Sequence, residues 1–161
     1  MKKLVVSATI APLLIIALAG TTLTAPAKAG EKELPFKGKL QSVEMYVVTP
    51  PFMSVTANGS GNATHLGKFT INYEVQVNLE TLAGEGSAQI VAANGDILYA
   101  NISGQATPAG TADVFNVVEE FTITDGTGRF EHATGSFTLE RVVNITTGAT
   151  SGTISGTIVL P

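Results

Sequence analysis

The segment GKFTINYEVQVNLET, residues 67–81, alternates apolar and polar side chains without a break. Its apolar side chains occupy every second position: Phe69, Ile71, Tyr73, Val75, Val77 and Leu79. A period of two is that of a β-strand with one buried face and one solvated face. Because no segment after residue 29 has a comparable helical period, the chain is predicted to fold as β-structure around an apolar core.

Further strands are predicted at short intervals along the chain. They are 36–48, with a bulge near Ser42 where the apolar parity shifts, a weaker strand near 52–57, and then 86–93, 96–104, 113–124, 134–144 and 150–160. Asn94-Gly95 is the clearest hairpin signal, and the Gly/Asn-rich stretch 56–67 is predicted to be a mobile loop. About eight strands with short turns predict an antiparallel sandwich or barrel. An eight-stranded antiparallel β-barrel is favoured because closure removes open sheet edges.

The N-terminus has the organisation of a secretory signal peptide. Lys2 and Lys3 precede an apolar run, residues 4–20, and Ala27-Lys28-Ala29 forms a small-x-small cleavage site before Gly30. The alternative is an uncleaved membrane anchor, but the run is short for a span of about 20 residues and contains polar residues. The predicted division is therefore a signal peptide, 1–29, and a single barrel domain, 30–161.

The composition after cleavage excludes several classes of function. Six basic and thirteen acidic residues remain, a net charge of −7, which disfavours binding to nucleic acid or to an anionic membrane surface. The chain has no cysteine, so disulfides and thiol chemistry are excluded. It has no Trp and only three Tyr, whereas outer-membrane barrels carry aromatic girdles. We therefore expect a soluble protein that is secreted or periplasmic, not membrane-embedded after cleavage, and free of cofactors.

The stretch DGTGRFEHATGSF, residues 125–137, allows two interpretations. A glycine loop that cradles phosphate leads into a helix N-terminus, whose free N–H groups hold the anion. Here the loop leads into a predicted strand, so a structural turn is favoured. Gly126 and Gly128 are then expected at positive-φ turn positions, with Phe130 folded back onto the core and Arg129 solvated or bridged to Asp125 or Glu131.

At this turn the sequence resembles a known family. ITDGTGRFEHATGSFTL is similar to the glycine turn before the penultimate strand of allene oxide cyclase-like and dirigent-like barrels. HLGKFTINYEV, NGDILYANISGQ and TSGTISGTI resemble other strands of that family in the same order, so the resemblance covers most of residues 36–160. It implies an eight-stranded barrel with an apolar interior, often assembled as a homo-trimer.

The sequence also departs from this family. Plant allene oxide cyclases use an acidic residue on an early strand and have a pocket cysteine. Glu44 is the only acid on a comparable early strand here, and the cysteine is missing. The pocket acids of plant dirigent proteins have no evident counterparts. The resemblance therefore implies the fold, with Glu44 as a candidate catalytic residue.

Two charged residues are predicted to face the barrel interior. Glu119 shares the parity of the apolar side chains on strand 113–124, and Arg141 shares that of strand 134–144. The two strands are consecutive and should pair, so we expect an interior ion pair, because an unpaired buried charge is costly. Such a pair is either structural or a polar anchor, in which Arg141 holds a ligand carboxylate or carbonyl and Glu119 acts as an acid or base. Tyr73 and Tyr99 are expected to line the same interior.

The remaining candidates are weaker. His65 and His132 lie in predicted loops without a third ligand at metal spacing, so no metal site is predicted. The sequence leaves three functions open. The first is the binding of a small apolar or amphipathic molecule, the second an isomerase or cyclase that uses Glu119, Arg141 or Glu44, and the third a structural envelope protein with a filled barrel.

Overall fold

The computed structural model describes residues 32–161, which form eight strands and one short 3₁₀ helix. The strands are β1 (Lys32–Thr49), β2 (Phe52–Ala63), β3 (Gly67–Asn78), β4 (Ala83–Ala92), β5 (Ile97–Pro108), β6 (Val114–Gly126), β7 (Thr134–Asn144) and β8 (Ala149–Leu160). The predicted signal peptide and its cleavage site lie outside the described residues. Within residues 32–161, no helix is long and apolar enough to cross a membrane.

The strands close into a barrel in sequence order. Each strand pairs antiparallel with the next, and β1 completes the ring by pairing with β8 from Lys32↔Leu160 to Val43↔Ala149. One register shift occurs in the β5–β6 pair, where Thr124 is an extra residue on β6. The predicted eight-stranded antiparallel barrel is therefore confirmed, and the sandwich is excluded.

The core fills the barrel with the inward side chains that the alternation requires. On β3, the inward Phe69, Ile71, Tyr73 and Val75 are at most 6% exposed, and the residues between them are exposed. Phe137 stacks on Phe121 with ring centroids 4.7 Å apart, and packs against Phe36 at 5.0 Å. This stack occupies the half of the barrel nearer to the β6–β7 turn.

The predicted bulge near Ser42 is wrong. β1 pairs with both neighbours without a register shift, so its even-numbered residues face inward throughout the strand. Ser42 and Glu44 are buried, whereas Val43 and Met45 are 58% and 62% exposed. The apolar parity does shift, but because the outer face of β1 becomes apolar and its inner face polar.

The predicted mobile loop at 56–67 is also wrong in most of its length. β2 continues to Ala63 and pairs with β3 residue by residue. The glycines within it make room for side chains of the core: a β-carbon at Gly59 would lie 2.6 Å from the Ser42 Cβ, and one at Gly61 would lie 2.5 Å from the Phe69 ring. Only a short turn connects β2 to β3.

The glycine turn closes one end of the barrel. Its 3₁₀ helix, Gly128–Phe130, places Phe130 in the interior, where it is fully buried. Gly128 has the expected positive φ of 58°, but Gly126 does not: it ends β6, and a β-carbon there would lie 2.5 Å from that of Phe130. Arg129 pairs with Asp96, 3.8 Å away, and not with the predicted Asp125 or Glu131, and it stacks over the Phe130 ring. The stretch is a structural turn that joins two strands, as predicted.

Candidate functional site

A cavity lies in the half of the barrel opposite the glycine turn. Its volume is about 160 Å³. Residues of every strand except β8 line it, most of them apolar, and three charged groups, Glu44, Glu119 and Arg141, complete it. Leu79 and Leu82 of the β3–β4 turn lie at its rim and are partly exposed, so the cavity opens to solvent at this end.

The predicted ion pair between Glu119 and Arg141 is present. Val117 on β6 pairs with Arg141 on β7, which places Glu119 diagonally across from the arginine on the same inner face. Arg141 Nε donates to Glu119 Oε2 at 2.8 Å, and Arg141 Nη2 donates to Glu119 Oε1 at 2.9 Å. The contact is therefore bidentate, the strong geometry for a guanidinium and a carboxylate.

Glu44 joins the pair from β1, which is separated from β7 by β8 alone. Arg141 Nη1 donates to Glu44 Oε1 and also to Thr150 Oγ1, the latter at 3.3 Å. Tyr73 donates its hydroxyl proton to Glu44 Oε1 at 2.6 Å, and Tyr46 donates to Glu44 Oε2 at 2.8 Å. We call the resulting group of Glu44, Glu119 and Arg141 the charge cluster.

The charge cluster is buried and internally satisfied. Glu44, Glu119 and Arg141 are 6%, 3% and 8% exposed. Every buried side-chain nitrogen or oxygen in residues 32–161 has a hydrogen-bond partner. Removal of Arg141 would leave two buried carboxylates without a cation, and breaking a buried ion pair in this way typically costs about 3–5 kcal/mol.

The surroundings hold the donors of the cluster in their protonated forms. Burial opposes the charge on Arg141, but the hydrogen bonds and charge of Glu119, followed by Tyr73 and Glu44, raise the pKa of Arg141 above its ordinary value. Burial raises the pKa of Tyr73, Arg141 partly offsets this, and the charge and hydrogen bond of Glu44 add to it. Burial and Glu44 likewise raise the pKa of Tyr46. These three side chains are therefore hydrogen-bond donors at neutral pH.

The placement of the tyrosines differs from the prediction. Tyr99 was expected in the interior but is 38% exposed, because its neighbours Leu98 and Ala100 take the inward positions of β5. Tyr73 is buried as expected, but it lies behind Glu44 and is not part of the cavity wall. Tyr46 was missed. Only an inward Glu44 would have indicated it, since Tyr46 lies two residues after Glu44 on the same strand.

Metal ligands are not clustered in the described part of the chain. Residues 32–161 contain no group of three or more His, Asp or Glu residues that could hold a metal ion. His65 and His132 both lie in turns at the closed end, each with a positive φ. The two histidines therefore take no part in the cavity.

Comparisons with known proteins show which fold this chain has. The sequence matches no protein-family model and no curated protein. Among solved structures, the pterocarpan synthase dirigent protein GePTS1 aligns with a TM-score of 0.57 and 16% identity, over 88% of this chain and 98% of that chain. This chain has the dirigent-protein fold. The related structure PsPTS1, also a pterocarpan synthase dirigent protein, aligns with a TM-score of 0.54 and 16% identity, over 80% of this chain and 94% of that chain.

The resemblance inferred from the glycine turn is thus confirmed for the barrel. The two alignments cover nearly the whole of both dirigent barrels, so the architecture is shared from β1 to β8. An identity of 16% supports a shared fold alone, so the chemistry has to be inferred from the residues of this chain. Those residues are the charge cluster and the apolar walls around it.

Proposed function

We propose that this dirigent-type barrel binds a small apolar or amphipathic molecule in its cavity. The observation that carries the proposal is a solvent-open, mostly apolar cavity with three convergent charged groups at its base. Ligand sites combine apolar walls with a few placed polar groups in this way. Glu119 and Arg141 are the ligand-binding residues in this proposal, with Glu44 beside them and Tyr73 fixing the position of Glu44.

Blocking the cavity tests the proposal. Ala106 lines it from β5, so Ala106→Phe should fill the space that a ligand needs. Ser103→Phe is the matched control, because Ser103 lies on the outer face of the same strand. Native mass spectrometry of protein purified from its natural envelope fraction should detect a retained small molecule in wild type and in Ser103→Phe, but not in Ala106→Phe.

The opposite outcome would support a filled structural barrel. Protein that is free of ligand, and that also fails to bind a panel of apolar molecules, would contradict the binding function. In that case the charge cluster would serve only to hold β1, β6 and β7 together.

A synthase or isomerase reaction is the second candidate. Two carboxylates, Glu44 and Glu119, line the cavity, and carboxylates are suitable groups for proton transfer. The two aligned dirigent proteins are pterocarpan synthases. Wild-type protein should then convert a bound molecule and Glu119→Gln should not, whereas a pure binding protein would convert nothing in either form.

We also propose that the barrel is exported and self-associates as a homo-trimer. Val43, Met45 and Val47 form an apolar ridge on the outer face of β1, each 58–66% exposed. Beside the ridge, the small residues Ala149 and Ser151 of β8 leave a shallow groove. A ridge next to a groove, both without charge, fits a second copy of the chain, since monomers rarely expose such patches.

A further inference from the structure

The charges within the charge cluster do not cancel. It contains two carboxylates and a single guanidinium, so it carries one net negative charge when both acids are ionised. Its neighbours Tyr46, Tyr73 and Thr150 are neutral and cannot compensate. Because the cluster is buried, water screens this charge weakly, and any ligand group that approaches it feels a negative potential.

The charge cluster also has more open hydrogen-bond acceptor positions than free donors. Four of the five N–H groups of Arg141 already donate hydrogen bonds, to Glu119, Glu44 and the neighbouring Thr150. Glu119 accepts only two hydrogen bonds and Glu44 three. Since a carboxylate offers about four acceptor positions, about three positions remain open against one N–H. The cluster is therefore equipped to accept hydrogen bonds from a ligand.

The exposed charges around the cavity have the same sign. Glu80 and Asp113 are exposed in the turns at the open end. In the part of the chain that the structure describes, the exposed basic side chains lie towards the closed end: Lys32, Lys37, Lys39, Lys68 and Arg129. A negative entrance repels anions and attracts cations during the approach to the cavity.

We infer that the cavity selects a neutral or cationic molecule with a hydroxyl or amine donor, and excludes carboxylic acids. This inference rests on the binding function proposed above. The open carboxylate positions of Glu119 and Glu44 accept the donor, and the apolar walls cover the rest of the molecule. Arg141 acts as the internal counter-ion of the acids, which replaces its expected role as the anchor of a ligand carboxylate.

Three probes with one apolar body and different head groups test the inference. They are phenethylamine, phenethyl alcohol and phenylacetate, which are cationic, neutral and anionic at pH 7. Titration calorimetry on the wild-type protein should give dissociation constants for the amine and the alcohol at least about ten-fold lower than that for phenylacetate. Tighter or equal binding of phenylacetate would overturn the inference and leave the binding function intact. If none of the three probes binds, the binding function fails and the inference fails with it.

Two variants locate the source of the selectivity. Glu44→Gln keeps the shape of the side chain and removes the net charge, so the preference for phenethylamine over phenylacetate should fall by at least about ten-fold. Glu74→Gln changes the total charge equally, but on the outer face of β3, and should keep the preference. Equal changes in both variants would assign the selectivity to overall charge and overturn the role of the cluster. The wild-type comparison remains decisive even if Glu44→Gln does not fold.

Discussion

The role of each residue at the charge cluster depends on the side chains that it contacts. Glu44 accepts hydrogen bonds from two tyrosines and from Arg141, so it is the most connected acid of the cavity. Tyr73 also lies beneath the guanidinium, with its ring centroid 5.7 Å from Arg141 Cζ. These contacts tie β1, β3 and β7 together at one point. The phenols stabilise the site only while they keep their protons.

Because the pKa of Tyr73 is raised, we expect the folded state to lose stability at alkaline pH. Burial, followed by Glu44, raises this pKa above the ordinary value of 10.0, so the folded state holds the proton more tightly than the unfolded state. The stabilisation is complete below pH 10 and is lost as the pH rises further, because the unfolded chain then releases the proton first. We expect the free energy of unfolding to fall above pH 10, by on the order of 1 kcal/mol per pH unit from Tyr73. Tyr73→Phe should show a shallower decline in denaturant titrations at several pH values.

A matched control separates ionisation from the loss of a hydroxyl group. Thr150→Val removes a hydroxyl from the same cluster but no titratable proton. It should lower stability by a similar amount at every pH. If Tyr73→Phe retained the wild-type slope above pH 10, the phenol would not be the source of the alkaline loss.

Among the strands, β2 shows how glycine creates space inside a barrel. Gly61 pairs with Phe69, whose ring covers the position that a β-carbon would occupy. Gly104 has the same role beside the cavity, where its β-carbon would lie 2.5 Å from Glu119 Cγ. In both places, a glycine on one strand admits a larger inward side chain from the next. The loop-like composition of β2 is therefore a packing requirement.

Substitution of Gly61 should be costly despite its position in a polar, glycine-rich strand. A β-carbon at Gly61 would meet the Lys39 carbonyl oxygen and the Phe69 ring, so Gly61→Ala forces both to move, and such overpacking costs about 1–3 kcal/mol. Ser60→Ala, on the outer face of the same strand, should change the free energy of unfolding little. Urea titrations of both variants check this, and equal midpoints would show that the surroundings of Gly61 adapt freely.

The sequence predicts strands better than it predicts their faces. The apolar parity of β6 and β7 correctly places Glu119 and Arg141 inside, because the inner face of those strands is mostly apolar. On β1 the same reasoning fails, because Val43 and Met45 face outward. The contact between Glu44 and Arg141 spans 97 positions and arises only when the strands close into a ring. No local pattern encodes such a contact.

The two ends of the barrel differ, since one is open and the other closed, and the outer face of β1 carries the apolar ridge. The cavity opens at the end formed by the β1–β2, β3–β4, β5–β6 and β7–β8 turns. β1 begins at the opposite, closed end. The apolar ridge runs along the outer wall of the cavity half, and a second copy could cover it while the entrance stays free.

The oligomer prediction follows from this ridge. Met45 is 62% exposed at its centre, so Met45→Lys should place a charge in the interface and raise the dissociation constant of the oligomer at least about ten-fold. Asn72→Lys adds the same charge to the outer face of β3, where no interface is proposed. Sedimentation velocity should report a trimer for wild type and for Asn72→Lys, but monomers for Met45→Lys. A monomeric wild-type protein would contradict the prediction.

The burial of Phe130 at the closed end has a kinetic consequence. In the barrel formed by residues 32–161 the cavity opens at the other end, so a ligand bound as proposed would have to leave before the next could enter. Its dissociation rate should then be independent of the concentration of a competitor. Reagents in solution would reach such a ligand from the open end, so the barrel would expose one part of it and shield the rest.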